Sequence, residues 1–252
     1  MAQPAASVRP VKRKTHALPY WVEPTFTVVA LGLFGLYTLW LVFFQSSGQF
    51  HNYLSPFFSP TESWGIKVLP AIWVLWSPLL FRATCYYYRK EIYRGFFHDL
   101  ISCSVPETRK HYFGETRFPF SWTNLHRWFW YVAVVVLVFL WIDAVQAFIF
   151  SAPGGGSTFG IGLGSIIMLV NVVLLSAYTF SCHAFRHLIG GGSEKFTCAN
   201  GRPTTRYTIW RRISAWNENH GTYAWISMFF VWFTDVYIRL LMHGVIHDVR
   251  FF

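Results

Sequence analysis

The groups in this 252-residue chain best able to bind metal or move electrons are its four cysteines and ten histidines. Their placement is uneven. Cys85 and Cys182 close two apolar runs, while Cys103 and Cys198 fall in the polar stretches that follow. His183 and His187 come directly after Cys182, four residues apart, and so project from one face of a helix. His126 stands just before one further apolar run and His220 just before another. Two thiolates with two imidazoles are the ligand set of a Rieske-type [2Fe–2S] cluster or of a structural zinc site. Each residue alone has an ordinary reading, since a cysteine at a helix end packs as a small hydrophobe. Their gathering at the ends of four separate apolar runs is what points to chemistry. The spacing itself matches no standard motif.

The elements that position these groups are membrane helices. The chain is 54% hydrophobic and 21% aromatic, with only 13% charged residues, against about 25% charged in an ordinary soluble domain. A bilayer core needs roughly 20 apolar residues per helix, and five runs approach or meet that length. The fold expected is therefore an all-α membrane protein, a five-helix transmembrane bundle. Its spans lie at about 25–44, 68–88, 128–150, 159–182 and 223–241, the second kinked at Pro78. Residues 1–24 form a basic arm and 25–252 a single membrane domain. The first run has no small-residue cleavage site after it and reads as a span, not a removable signal peptide.

The net charge of +10 would fit nucleic acid, but the position of the charges argues for topology instead. Arg9, Lys12, Arg13 and Lys14 crowd the N-terminal arm, and most other basic residues lie in 82–127 and 186–212. The loops 45–65 and 151–158 carry none. The positive-inside rule then puts the N-terminus in the cytoplasm and the C-terminus on the outer side of a cytoplasmic membrane, with all four cysteines toward the cytoplasm. A reducing compartment disfavours disulfides and leaves those thiols free or metal-bound. The long basic inner loops suit a soluble protein partner or anionic membrane lipids.

Charged residues inside spans are costly and often functional. Asp235 and Arg239, one turn apart, are expected to pair, and Asp143 to form a polar clamp with Asn171 or Arg239. Gly160 and Gly164 suggest close helix packing at the start of the fourth span. His243 and His247, at the outer end, read as surface, and Gly154 to Gly156 as an external turn.

Several strings carry a resemblance. Arg82-Ala83-Thr84-Cys85-Tyr86-Tyr87-Tyr88-Arg89-Lys90, Gly114-Glu115-Thr116-Arg117-Phe118-Pro119 and Asn124-Leu125-His126-Arg127-Trp128-Phe129-Trp130-Tyr131 are three of them. Ser181-Cys182-His183, Arg186-His187-Leu188-Ile189-Gly190-Gly191 and Asp248-Val249-Arg250-Phe251-Phe252 complete the set. Together they resemble the membrane anchor of the type F succinate dehydrogenases described from actinobacteria, from about residue 66 onward. The resemblance implies a respiratory complex II, a succinate:quinone oxidoreductase of the tricarboxylic acid cycle. In it a flavoprotein subunit oxidises succinate, an iron–sulfur subunit relays electrons, and this anchor delivers them to ubiquinone or menaquinone. The anchor would hold a Rieske-type [2Fe–2S] cluster in place of haem b. Ligand candidates are Cys85, Cys103, His183 and His220, with His187 and Cys182 in competition; Cys198 matches nothing in the family.

Imidazole ligation raises the potential of such a cluster to roughly −150 to +300 mV, which suits a quinone acceptor. Tyr87, His126, Trp130, Arg186 and Trp216 stand at the right depth for a quinone cleft. Besides a purely structural anchor with zinc, two alternatives remain open. One is a b-haem anchor using His126, His183, His187 or His220. The other is a transporter with a structural metal site and a polar path through Asp143, Asn171, Asp235 and Arg239.

Overall fold

A computed structural model describes residues 19, 21–59, 70–89, 125–151, 155–190, 196–199 and 202–251. Cys103 and the strings at 114–119 lie outside the described residues, as does the basic arm. The helices are α1 (Val22–Phe44), α2 (Pro70–Ala83), α3 (His126–Gln146), α4 (Leu163–Phe180), α5 (His183–Gly190), α6 (Thr205–Glu218) and α7 (His220–Met242). Three two-stranded antiparallel hairpins join them: β1 (Gln49–Phe50) with β2 (Tyr53–Leu54), β3 (Ile149–Ser151) with β4 (Ser157–Phe159), and β5 (Cys198–Ala199) with β6 (Arg202–Pro203).

Among the described residues, four helices are long and apolar enough to cross a membrane: α1, α3, α4 and α7, of 23, 21, 18 and 23 residues. At 1.5 Å per residue they reach about 27–35 Å, against a hydrocarbon core of about 30 Å. α2 has 14 described helical residues with Pro78 inside. It starts at the edge of the described residues. The expected third and fourth spans are shorter than their apolar runs, because Ile149–Ser151 and Ser157–Phe159 leave the helices to pair as a hairpin. Gly155 and Gly156 turn that hairpin with φ of +77° and +121°, values open to glycine at little cost.

α7 packs along α4, α4 along α3, α3 along α2, and α2 along α1. Phe43 and Phe44 are 73% and 74% exposed at the end of α1. Such surface is costly in water and at home in lipid.

The loop after α1 folds back onto the bundle. Tyr53, Phe57 and Phe58 are buried, and the loop plugs one end of the bundle through three polar anchors. Asn52 Nδ2 donates to the Ala147 carbonyl at 2.7 Å. Tyr53 Oη donates to Asp248 at 2.5 Å, an arrangement that, with burial, raises the Tyr53 phenol to about 12. Ser55 Oγ donates to Asp235. Asp235 also accepts from Tyr37 and, at 2.7 Å, from Arg239 Nε, so the expected pair forms. Arg239 turns its other contact to Gln45, at 2.9 Å. The expected clamp on Asp143 is not made: Asp143 Oδ2 and Asn171 Oδ1 are buried with no hydrogen-bond partner among the described residues.

The small-residue face also has a different use. Gly160 precedes α4, and Gly164 lies against the Tyr53 ring of the plug, where an added Cβ would stand 2.6 Å from Cε2. His243 and His247 are exposed, as expected.

Candidate functional site

At the end of the bundle opposite the plug, α2 and α4 both stop beside a cysteine. α2 ends at Ala83, and Thr84 and Cys85 follow. α4 ends at Phe180, and Ser181 and Cys182 follow. Each thiol is buried, 2% exposed for Cys85 and 1% for Cys182. α3 and α7 begin at this level, and their first residues are His126 and His220.

The four groups meet crosswise. Cys85 Sγ lies 3.3 Å from His220 Nε2, and Cys182 Sγ lies 3.1 Å from His126 Nε2. The opposite ring nitrogens are held as well. His126 Nδ1 is 2.9 Å from Thr84 Oγ1, and His220 Nδ1 is 2.8 Å from Ser181 Oγ. An aromatic ring lies flat on each imidazole, Phe81 on His126 at 4.8 Å and Tyr178 on His220 at 4.9 Å between centroids. Dry rings on one side and a fixed hydroxyl behind leave each imidazole a single direction in which to present Nε2.

Arg82 is the charge built into this layer. It is buried at 4% exposure, donates to the Ala224 carbonyl at 2.9 Å and to Ser227 Oγ at 3.0 Å, and lies over the Tyr178 ring at 4.5 Å. The hydroxyls of Tyr88 and Tyr178 are buried beside it without a hydrogen-bond partner among the described residues.

All four Cys and His groups line one open cavity of about 910 Å³, together with Thr84, Tyr87, His183, His187 and Asn217. Among the described residues no group of three His, Cys, Asp or Glu could hold a single metal ion. The chemistry on offer is two soft thiols and two oriented imidazoles facing a space that a ligand could enter.

Comparisons with known proteins give the chain its family. The model of the family of actinobacterial succinate dehydrogenase subunit SdhC matches residues 22–244. The chain belongs to this family. A solved structure, the Mycobacterium smegmatis Sdh1 complex in the apo form, is 35% identical to this SdhC-family chain. It aligns over 99% of this chain and 98% of its own, with a TM-score of 0.76. None of the curated proteins compared with it matches. This SdhC-family chain is thus a membrane anchor subunit of a succinate dehydrogenase complex, and the transporter alternative falls away.

The remaining candidates separate by where the SdhC fold places them. His126, read from sequence as a quinone contact, touches Cys182. His183 and His187 are exposed on α5, with ring centroids 4.5 Å apart, and face the cavity. Partial loss of water against the cavity wall, then the neighbouring His187 and Arg186, hold the His183 imidazole below the ordinary histidine value. Tyr87 lines the cavity and accepts from Trp225 Nε1 at 3.3 Å. Trp130 is buried, donating to the Thr179 carbonyl at 2.9 Å and stacked on Phe185. Arg186 is bound to α6 through Ser214 Oγ at 2.9 Å and the face of Trp210. Trp216 is 54% exposed on α6, away from the cavity lining.

One signal for the site was present in the sequence and is easy to overlook. Phe81-Arg82-Ala83-Thr84-Cys85 and Tyr178-Thr179-Phe180-Ser181-Cys182 share an aromatic, two residues, a hydroxyl and a cysteine.

Proposed function

We propose that this anchor relays electrons from the iron–sulfur subunit of its complex to ubiquinone or menaquinone through a Rieske-type [2Fe–2S] cluster held by Cys85, Cys182, His126 and His220. The observation that carries the reading is the pair of crossed sulfur–nitrogen contacts, 3.3 and 3.1 Å, on the wall of a single cavity. The donor set fits the group. The fit is one of donor kind and number: a Rieske centre would take the two imidazoles on one iron and the two thiolates on the other, so it needs no three-ligand centre of the kind absent among the described residues. When bound, such a cluster supplies a one-electron relay at a potential suited to quinone.

The protein's own part is to prepare the ligands and to cover one face of each imidazole. Cys85 and Cys182 serve as thiolates and both histidines as neutral imidazoles. Phe81 and Tyr178 cover the imidazoles, and Arg82 sets a positive charge beside them. Tyr87, His183 and His187 line the cavity and would contact a quinone ring bound there. The basic flanking segments support this end as the cytoplasmic face, where the iron–sulfur subunit would dock with the flavoprotein beyond it. A haem b would need two bare imidazoles on facing helices, whereas His126 and His220 both turn Nε2 to a thiol.

The test is electron paramagnetic resonance and acid-labile sulfide analysis of the purified complex. The expected result is a Rieske-type signal that His220→Ala and Cys182→Ser abolish while the flavin and the iron–sulfur subunit stay loaded. A wild-type complex without that signal, or with a sharp reduced α-band in the visible, overturns the proposal.

A further inference from the structure

The hydroxyls of Thr84 and Ser181 can each give only one proton, and the distances around each oxygen bear on where it goes. Thr84 Oγ1 is 2.7 Å from the Leu80 carbonyl, one helical turn back. Two oxygens that close repel unless a proton lies between them, so the hydroxyl donates there. Ser181 Oγ sits 3.1 Å from the Tyr178 carbonyl, and placing its proton there gives it the same role as Thr84. Each hydroxyl then has only lone pairs left for the imidazole at 2.9 or 2.8 Å. A contact between two acceptors at that distance is untenable in a buried site, so Nδ1 of both histidines carries the hydrogen.

From this proton count we infer that Thr84 and Ser181 are positioning residues that lock His126 and His220 in the Nδ1–H tautomer and leave both Nε2 lone pairs aimed at the thiols. The arrangement is reciprocal. The hydroxyl next to Cys85 sets the imidazole that meets Cys182, and the hydroxyl next to Cys182 sets the imidazole that meets Cys85. With the aromatic three residues before each hydroxyl stacked on the same imidazole, each five-residue string supplies the thiol of one pair and the orientation of the other. A plain carbonyl acceptor would fix the same tautomer. The hydroxyl does so only while its own proton is committed to the helix, which makes the helix ends at Ala83 and Phe180 part of the site. Loss of either hydroxyl frees one imidazole to rotate or to change tautomer, while both thiols and both histidines remain.

The role as positioning groups for metal rests on the proposed cluster; the tautomers themselves do not. The experiment therefore has two arms. In the first, the complex is labelled with ¹⁵N-histidine and stripped of iron, and nitrogen NMR reads the protonation of each ring nitrogen, assigned with His126→Gln and His220→Gln. Both residues are expected to show Nδ1 protonated and Nε2 bare. Either one found as Nε2–H overturns the inference, whatever the metal content. In the second, loaded complexes carrying Thr84→Val or Ser181→Ala are compared with Thr84→Ser and Ser181→Thr. The first pair is expected to lose iron to a chelator about 10–100-fold more readily, each altering the hyperfine coupling of one ligand nitrogen only. The conservative pair is expected to behave as wild type. Unchanged couplings and iron retention in Thr84→Val and Ser181→Ala refute the positioning role even where the wild-type cluster is present. A wild-type complex without iron sinks the cluster reading, and the first arm still decides the tautomers.

Discussion

Asp235 and Arg239 allow a prediction that depends on no cofactor. Asp235 is fully buried and accepts from Tyr37, Ser55 and Arg239. Replacement by alanine removes all three bonds at once. The two hydroxyls, if left without acceptors, cost about 1–3 kcal/mol each. The larger effect is on Arg239, 7% exposed, whose only other hydrogen-bond acceptor among the described residues is Gln45 at 2.9 Å. The faces of Trp40 and Phe58, 5.7 and 5.6 Å from the guanidinium, return about 0.5–2 kcal/mol and cannot replace a carboxylate. Stranding a buried charge costs about 3–5 kcal/mol, so Asp235→Ala should be among the most damaging single changes in the bundle. Adding Arg239→Met removes the stranded charge and should recover about 0.5–3 kcal/mol, the range of coupling energies for residues in direct contact. The assay is thermal unfolding of the purified complex followed by tryptophan fluorescence, with the two single variants and the double variant side by side. A double variant that unfolds no later than Asp235→Ala alone would refute the reasoning, because the guanidinium would then not be the source of the damage.

Two further outcomes follow from packing and charge. Gly164→Ala puts a methyl 2.6 Å from Cε2 of Tyr53, a ring that cannot retreat because its hydroxyl is held by Asp248 at 2.5 Å. Overpacking of this kind costs about 1–3 kcal/mol and should lower the unfolding temperature, whereas Gly32→Ala, with nothing within 4 Å of the new methyl, should leave it level or raise it. Arg82→Gln removes the buried cation beside the Cys and His layer and should lower the midpoint potential of the site in a redox titration followed by paramagnetic resonance; an unchanged or higher potential would show that Arg82 acts only through its bonds to Ala224 and Ser227.

Much of the architecture was legible in the amino-acid order because a bilayer imposes simple demands. Length, apolarity and the exclusion of Lys and Arg locate α1, α3, α4 and α7, and the i, i+4 spacing pairs Asp235 with Arg239. The same rules cannot find the end of a helix whose next residues are also apolar, which is why Ile149 and Phe150 were counted into a span and pair instead with β4. Nor do they see the plug, since Tyr53, Phe57 and Phe58 look like interfacial aromatics until Ser55 and Asp235 are brought together.

At the site, order along the chain determined the kinds of ligand and the level at which they gather: thiols after two helices, imidazoles before two others. Tertiary structure decided the partners. Whether His126 or His183 meets Cys182 depends on how α3 is rotated about its axis and how closely it approaches α4. Those quantities are set by packing between helices far apart in sequence, so no local spacing encodes them. His183, the nearest neighbour of Cys182 along the chain, points into the cavity because α5 starts a new direction there. His126, 56 residues away, closes the contact at 3.1 Å.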